Sequence, residues 1–222
     1  IIDTGSNSAT WTTTSWVTEL PFMKELPGSV GSESSDHYKA LVGSGGLVDD
    51  DNLMSGLDGL WHLNGTLGTI ADAAVVADFS TNGRDGSIYD NDATNNIQYV
   101  NSQFAEGIKF NGTNDSVVLP AGILGTQDTT GMTFSAWVNV SSIIGDFGVV
   151  GVSESSGYSF FSSGGLWINS GTVTFSFWNG SSYVHLGSPS KIAANETVHV
   201  LGSYKASTKE LSLYVNGKSV AT

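Results

Sequence analysis

The carboxylates are the first candidates for catalysis, because glycoside hydrolysis needs two of them held about 5 to 9.5 Å apart. Residues two or four apart on a strand share a face, so a catalytic pair could show as that spacing. No glutamate has another carboxylate at that spacing on a predicted strand; the seven are Glu19, Glu25, Glu33, Glu106, Glu154, Glu196 and Glu210. A G-x-S-x-G elbow, an H-E-x-x-H helix and a phosphate-binding loop are also absent from the sequence. We therefore interpret the chain as non-enzymatic.

Two short segments concentrate the carboxylate and amide oxygens that calcium prefers as ligands. Asp78, Asn82 and Asp85 lie within eight residues, and Asn114 is followed directly by Asp115. These five residues are candidate metal ligands, and calcium is the ion that they fit best. The alternative is that the same side chains cap turns by hydrogen bonding to nearby backbone groups.

Four aromatic residues are candidates for stacking on a sugar ring or packing against a protein ligand. They are Tyr158, Trp167, Trp178 and Tyr183. Trp178 and Tyr183 flank the turn at 179–182, so on neighbouring strands they would form one cross-strand aromatic pair. Packing alone is the alternative explanation for such a pair. These residues are the predicted ligand-binding surface, with a glycan or a surface protein as the partner.

The composition narrows the class of ligand. Eight Lys and Arg against 21 Asp and Glu give a net charge of −13 at pH 7. A chain this acidic is repelled by the phosphates of nucleic acids and by anionic membrane surfaces. No apolar run approaches the roughly 18 residues of a membrane helix, so we expect neither nucleic-acid binding nor membrane insertion. Cysteine is absent, which excludes disulfides and thiolate-bound metals.

Short β-rich segments separated by turn residues follow one another from residue 59 onward, with no amphipathic helix among them. In one segment Phe134 and Val138 would face a core, while Ser135 and Trp137 would face the opposite side. Such spacing predicts an all-β fold, a two-sheet antiparallel sandwich. The predicted strands are 60–63, 105–110, 116–119, 132–140, 147–152, 158–161, 166–169, 172–178, 183–186, 198–204 and 211–215.

Three short segments predict tight hairpins. They are Asn169-Ser170-Gly171, Asn179-Gly180 and Asn216-Gly217. Glycine and asparagine tolerate the positive φ angles that two-residue hairpin turns require.

Five segments, in a fixed order, give the chain a family resemblance. They read GLWHLN at 59–64, DFSTNGRDG at 78–86, FAEGIKFNGTNDSV at 104–117, MTFSAWV at 132–138, and VHVLGSY to LSLYVNG over 198–217. They resemble the opening strand, the D-SSGNGNDG loop, the G-A-xFDGxDDYV hairpin, the FTISAWV strand and the HHVAxTYD…LxLYVNG hairpin of laminin-G-like, concanavalin A-like jelly-roll domains. Those domains are common in bacterial and archaeal surface proteins. The resemblance implies a jelly roll at the cell surface, with Trp61 and Trp137 as structural residues.

The resemblance also has implications for which ligands the domain binds and for whether all of its strands are present. Some members of the family bind calcium in such loops, and members differ in the region that holds the four candidate aromatic residues. Asn111 stands where the family usually has Asp. Members normally continue past the YVNG segment through a hairpin and a closing strand. We therefore expect the C-terminal strands to be missing here or to come from elsewhere.

Residues 1–56 lack the regular pattern of the predicted sandwich at 57–222. They are predicted to form an N-terminal extension or linker with one or two β-segments, in which the acidic run at 49–51 is a solvated linker. The β-rich stretch at 9–20 could complete an open sheet edge by strand addition, in its own chain or in a neighbour. The segment's exchange residues would be Trp11, Thr13, Trp16 and Val17.

Two functions from different classes remain open at this point. The first is a non-catalytic recognition or adhesion module of a cell-surface protein, which binds a carbohydrate or a protein. The second is a structural subunit of an extracellular filament, in which copies of the chain form a homopolymer by exchanging strands. An enzyme ranks behind both because no carboxylate pair supports it.

Overall fold

The computed structural model describes residues 39–42, 46–52, 57–80, 82–90, 97–103, 105–121, 131–152, 164–178 and 181–222. Throughout these ranges the chain forms strands and turns without a helix, which confirms the all-β prediction. A helix that could cross a membrane is accordingly not found in them. The chain divides into two units, Ile1–Leu57 and Asp58–Thr222.

In the first unit the structure describes one antiparallel hairpin. Its strands are β1 (Lys39–Val42) and β2 (Gly46–Asn52). β2 contains the acidic run at 49–51, so the interpretation of that run as a linker is wrong. Backbone hydrogen bonds hold a hairpin together, and side-chain charge does not prevent them. The predicted exchange segment, with Trp11, Thr13, Trp16 and Val17, lies outside the described residues.

The second unit is organised around two four-stranded antiparallel sheets. The first, which we call the meander sheet, has the order β10-β11-β12-β13, with β10 at Asp146–Val152, β11 at Gly164–Asn169, β12 at Thr172–Trp178 and β13 at Tyr183–Lys191. The second, which we call the crossover sheet, has the order β16-β15-β14-β9, with β9 at Gly131–Asn139, β14 at Thr197–Lys205, β15 at Glu210–Val215 and β16 at Lys218–Ala221. Each of these strands contains a predicted one except β9, which ends one residue before the predicted end at 140, and β16, which the predictions missed.

Strand alternation in the crossover sheet follows the predicted pattern. β9 and β14 pair from Asn139 opposite Thr197 to Gly131 opposite Lys205. Val198, Val200 and Gly202 of β14 are buried, and His199 and Leu201 between them are partly exposed. Successive side chains of a strand point to opposite faces, so one face of this sheet is available for a core and the other for solvent.

The main core lies between the two sheets, which confirms the predicted sandwich. Its most buried members come from both sheets: Leu166, Ile168, Val173, Phe175, Val198, Val200 and Leu213, each at most 1% exposed. Aromatic contacts link the sheets directly. Phe177 of β12 stacks on Tyr204 of β14 at 4.0 Å between ring centroids. Phe175 meets Phe134 of β9 edge to face at 6.3 Å.

Gly202 of β14 lets the Phe175 ring approach the backbone. A Cβ atom on Gly202 would lie 2.5 Å from both Cγ and Cδ2 of that ring. The ring is completely buried, so it has no free space into which to withdraw.

Gly202→Ala should therefore lower the free energy of unfolding by about 1–3 kcal/mol, because the added methyl overpacks the core. Urea denaturation followed by tryptophan fluorescence measures this loss. The matched control is Gly187→Ala on β13, where the new Cβ would meet Thr172 Cγ2 at an ordinary 3.4 Å. Similar losses in the two variants would contradict the overpacking explanation.

Two of the predicted hairpins are confirmed by their backbone angles. Ser170 and Gly171 join β11 to β12 with φ of 47° and 86°, and Asn216 and Gly217 join β15 to β16 with φ of 50° and 74°. Positive φ at both central residues defines the type I′ turn, whose twist matches that of the flanking strands. The remaining segment, at 179–180, lies outside the described residues.

Two small sheets complete the described strands. One has the order β3-β6-β7, with β3 at Gly68–Thr69, β6 at Gln98–Ser102 and β7 at Ala105–Lys109. The other has the order β4-β5-β8, with β4 at Val75–Val76, β5 at Gly86–Tyr89 and β8 at Ser116–Val118. They share a second core of Ile70, Val76, Ile88 and Ile97, against which Trp61 packs.

The predicted strand at 60–63 is wrong, because this segment pairs with no strand ladder. Its backbone is held instead by a loop. Phe79 N donates to Leu60 O at 2.7 Å, and Trp61 Nε1 donates to Arg84 O at 3.1 Å. Trp61 and Leu63, which suggested a strand, thus pack against the second core from a segment that is not a strand.

Candidate functional site

A row of aromatic rings lies on the meander sheet, on the side away from the main core. Trp178 of β12 pairs directly with Tyr183 of β13, and their ring centroids are 4.7 Å apart. Tyr183 is followed by His185, with the rings parallel at 6.0 Å, and His185 meets Trp167 edge to face at 5.7 Å. We call these four residues the aromatic row. The cross-strand pair predicted at the 179–182 turn is thus present.

The alternation of β12 positions this row. Val173 and Phe175 belong to the main core and Phe177 stacks on Tyr204 of the facing sheet, so Ser176 and Trp178 point the other way. Ser176 pairs with His185 across the strands, and the Ser176 hydroxyl forms a short hydrogen bond with His185 Nδ1. This bond holds the imidazole ring between Tyr183 and Trp167.

The members of the row differ in how much surface they offer. Tyr183 is 38% exposed and Trp178 is half-buried, whereas Trp167 is only 9% exposed. A ligand can therefore reach the Trp178–Tyr183 pair more readily than the Trp167 indole. Tyr158, the fourth predicted ligand residue, lies outside the described residues. The ligand-binding role of these residues stays a prediction.

Asp78, the first predicted metal ligand, is surrounded by hydrogen-bond donors from its own loop and from the segment at 58–60. Its Oδ1 accepts from Leu60 N and Ser80 N, both at 2.8 Å. Its Oδ2 accepts from the Ser80 hydroxyl and from Arg84 N, both at 2.7 Å. We call residues 78–86 the Asp78 loop. Four donors on one carboxylate explain the position of Asp78 without a cation.

The rest of the Asp78 loop reinforces this attachment. Asp85 Oδ1 accepts from Asp78 N at 2.9 Å, and Asn82 Nδ2 donates to Asp58 O at 3.3 Å. Arg84 Nη1 forms an ion pair with Asp58 Oδ1 at 3.0 Å. The predicted ligands Asp78, Asn82 and Asp85 thus join the loop to the start of the second unit.

Opposing influences set the pKa of Asp78. Burial, the largest single influence, raises the pKa, but the hydrogen bonds from Leu60, Ser80 and Arg84 together outweigh it. The pKa therefore lies below its ordinary value of 3.8, and the carboxylate is charged at neutral pH.

The second oxygen-rich turn is also connected internally. Asn111 Oδ1 accepts from Thr113 N at 2.7 Å, and Asn111 Nδ2 donates to Asn114 Oδ1 at 2.6 Å. Asp115 Oδ2 accepts from Asn111 N at 2.8 Å. This is the turn-capping arrangement that was the alternative to calcium. In the described parts of the chain, no three acidic or histidine side chains form a group suited to a metal. Calcium binding stays a prediction.

A comparison with family models matches residues 111–222, about half of the chain, to a laminin-G model described as the concanavalin A-like lectin/glucanases superfamily. The chain belongs to this superfamily. The match spans β8 to β16, and so includes the aromatic row and both main sheets. Laminin-G-like and concanavalin A-like domains are generally non-catalytic binding domains. Laminin-G-like domains are typically extracellular. Comparison with curated proteins gave no match, and neither did comparison with solved structures.

Sequence reasoning missed one surface of this concanavalin A-like domain. Trp137 of β9, interpreted as structural, is 55% exposed on the solvent side of the crossover sheet. Its indole lies 5.0 Å from the ring of His199, its partner on β14. His199 Nε2 is hydrogen bonded to Ser135 Oγ at 2.8 Å. The signal was available, because the alternation that placed Phe134 inward also placed Trp137 outward.

Proposed function

We propose that this concanavalin A-like domain is a non-catalytic extracellular recognition module of a cell-surface protein. Its ligand would be a carbohydrate or a protein, bound at the aromatic row. The observation that carries the proposal is the Trp178–Tyr183 pair, which sits on an outward sheet face with part of both rings available.

The chemistry around the pair suits a polyhydroxylated ligand. Aromatic faces pack against the apolar side of a sugar ring, and nearby polar groups exchange hydrogen bonds with its hydroxyls. The row offers the Tyr183 hydroxyl and the His185 ring, and Thr174 lies next on the same face of β12. Adjacent rings also provide large contact areas with little loss of side-chain entropy, which suits a protein ligand as well.

Glycan-array binding followed by calorimetry tests the proposal, first with and then without added calcium. We expect Trp178→Ala and Tyr183→Ala to weaken binding about tenfold or more, as loss of an aromatic anchor does. The control is Tyr89→Ala on β5, because Tyr89 is 37% exposed and Tyr183 38%. Calcium dependence would support a cation in the loops at 78–85 or 114–115.

Two results would contradict this assignment of the site. One is that Tyr89→Ala weakens binding as much as Tyr183→Ala, which would mean a general loss of structure. The other is full affinity in both variants of the row, which would place the ligand elsewhere on the domain.

The second candidate, a filament subunit, is favoured by a separate observation. Among the described strands, β9 and β13 are edge strands of nine residues each. Long edge strands are the places where a further strand can add. Light scattering of the native chain separates the candidates. A 23.2 kDa species would contradict the filament, whereas a heterogeneous polymer that disappears on deletion of residues 1–20 would support it.

A further inference from the structure

The solvent side of the crossover sheet differs from an ordinary polar sheet surface. Trp137 and His199 lie side by side at one end, and Leu201 and Tyr214 pair next to them on β14 and β15. We call these four residues the outer face, together with the hydroxyl residues beside them, which are Thr133, Ser203 and Ser212. It belongs to the sheet opposite the aromatic row, so the two surfaces share no strand.

A row of hydroxyls crosses the same face. Thr133, Ser203 and Ser212 occupy successive strands in register, and Thr133 Oγ1 lies 3.0 Å from Ser203 Oγ. Together with His199 and Tyr214 these residues line an open groove of about 600 Å³. Each hydroxyl can donate one hydrogen bond and accept others, so the groove floor can bind a ligand that does both.

The described residues that line the groove carry almost no net charge, although the chain has a net charge of −13. Lys205 and Glu210 are the Lys and Glu among these described residues, and they are cross-strand partners at one end, where opposite charges offset each other. Burial lowers the pKa of His199 below its ordinary 6.5, so the ring is mainly neutral at pH 7. A neutral ligand therefore meets no electrostatic penalty here, while a charged one gains little.

We propose that the outer face is a second binding site, which takes a neutral oligosaccharide with one pyranose ring stacked on Trp137 and neighbouring units hydrogen bonded to the row Thr133–Ser203–Ser212. The path from β9 to β15 crosses two strand spacings, or about 10 Å. That is longer than a single sugar ring, so the site suits an oligosaccharide better than a monosaccharide. This site does not depend on the aromatic row, and a domain with both would hold two glycan chains on opposite sheets.

The test is an NMR titration of the whole chain, in which each of the six tryptophans gives one indole N–H signal. Trp137→Phe identifies the Trp137 signal, and the probes are neutral oligomers of glucose, mannose, xylose, galactose and N-acetylglucosamine. We expect at least one oligomer to shift the Trp137 signal in a saturable way. Trp137→Ala should weaken that binding about tenfold or more, and Ser203→Ala should weaken it by a smaller factor.

Tyr183→Ala is the matched variant on the other sheet, and it should leave the Trp137 titration unchanged. A well-dispersed spectrum of each variant shows that it is folded. If every neutral oligomer leaves the Trp137 signal in place, the proposal is overturned, even where the Trp178 signal moves and the proposed function stands. It is also overturned if the Trp137 signal shifts with protein concentration alone, because a second copy of the chain would then occupy the face.

Discussion

Phe175→Ala is expected to lower the free energy of unfolding by about 3–5 kcal/mol, the largest loss that we predict for a single core residue. Phe175 of the meander sheet is 0% exposed, and it contacts the crossover sheet through Phe134 on β9 and the backbone at Gly202 on β14. Removing the ring leaves a cavity that close-packed strands cannot collapse to fill. Chemical denaturation with fluorescence detection measures the loss.

Phe110→Ala is the matched control for this variant. Phe110 is 38% exposed, so its removal takes little apolar surface from a packed environment. We expect a change below about 1 kcal/mol for it. A loss at Phe110 as large as that at Phe175 would mean that the contact between the sheets is not the main source of stability.

Asp78→Ala is expected to lower the free energy of unfolding by about 2–4 kcal/mol, because hydrogen bonds to a charged acceptor are strong and their donors would be left without it. Those donors include Leu60 N and Arg84 N, which connect two separate parts of the chain. The control is Asp85→Ala in the same loop, where the described contact is a bond that Oδ1 accepts from Asp78 N. Equal losses in the two variants would contradict a special role for Asp78.

The stabilisation by Asp78 should also depend on pH. The folded-state pKa of Asp78 is lowered, so its charged form stabilises the fold fully above the ordinary value of 3.8. This stabilisation is lost as the pH falls through the lower folded-state pKa. We therefore expect the difference in the free energy of unfolding between wild type and Asp78→Asn to be smaller at strongly acidic pH than at neutral pH. Chemical denaturation of both proteins at the two pH values measures this difference. A difference that increases on acidification would contradict a lowered folded-state pKa for Asp78.

Strands that alternate cleanly could be predicted from the sequence because one face is buried. In β9, Phe134 and Val138 alternate with Ser135 and Trp137, and this pattern predicted both the strand and its inward side. The I′ turns could be predicted too, since their chemistry is local. β4 and β5 were missed because short strands depend on pairing with distant partners, such as Val76 with Gly86. No local pattern reports such a pairing.

In the candidate sites, too, local contacts could be predicted from the sequence and contacts between distant residues could not. The spacing of Trp178 and Tyr183 across a short turn predicted their contact, because a turn fixes the register of a hairpin. The donors around Asp78 include Leu60 N, eighteen residues away, and no local pattern indicates that contact. Trp137 was interpreted as structural because it lies in a motif that defines the fold, and its exposed surface was not considered as a site. The alternation within that motif had already placed the indole on the side away from the core.

The pairing of β9 with β14 has a consequence for how the chain folds during synthesis. The two strands enclose residues 140–196, which contain the whole meander sheet. β9 therefore leaves the ribosome before its partner exists, with the apolar side of Phe134 and Val138 uncovered. The hairpins β11-β12 and β12-β13, like β14-β15 and β15-β16, can close within microseconds over short connections, while β9 must wait for a long-range closure. The pairing of β9 with β14 is thus expected to form after these hairpins, and until then the exposed apolar side of β9 is a site for aggregation of the nascent chain.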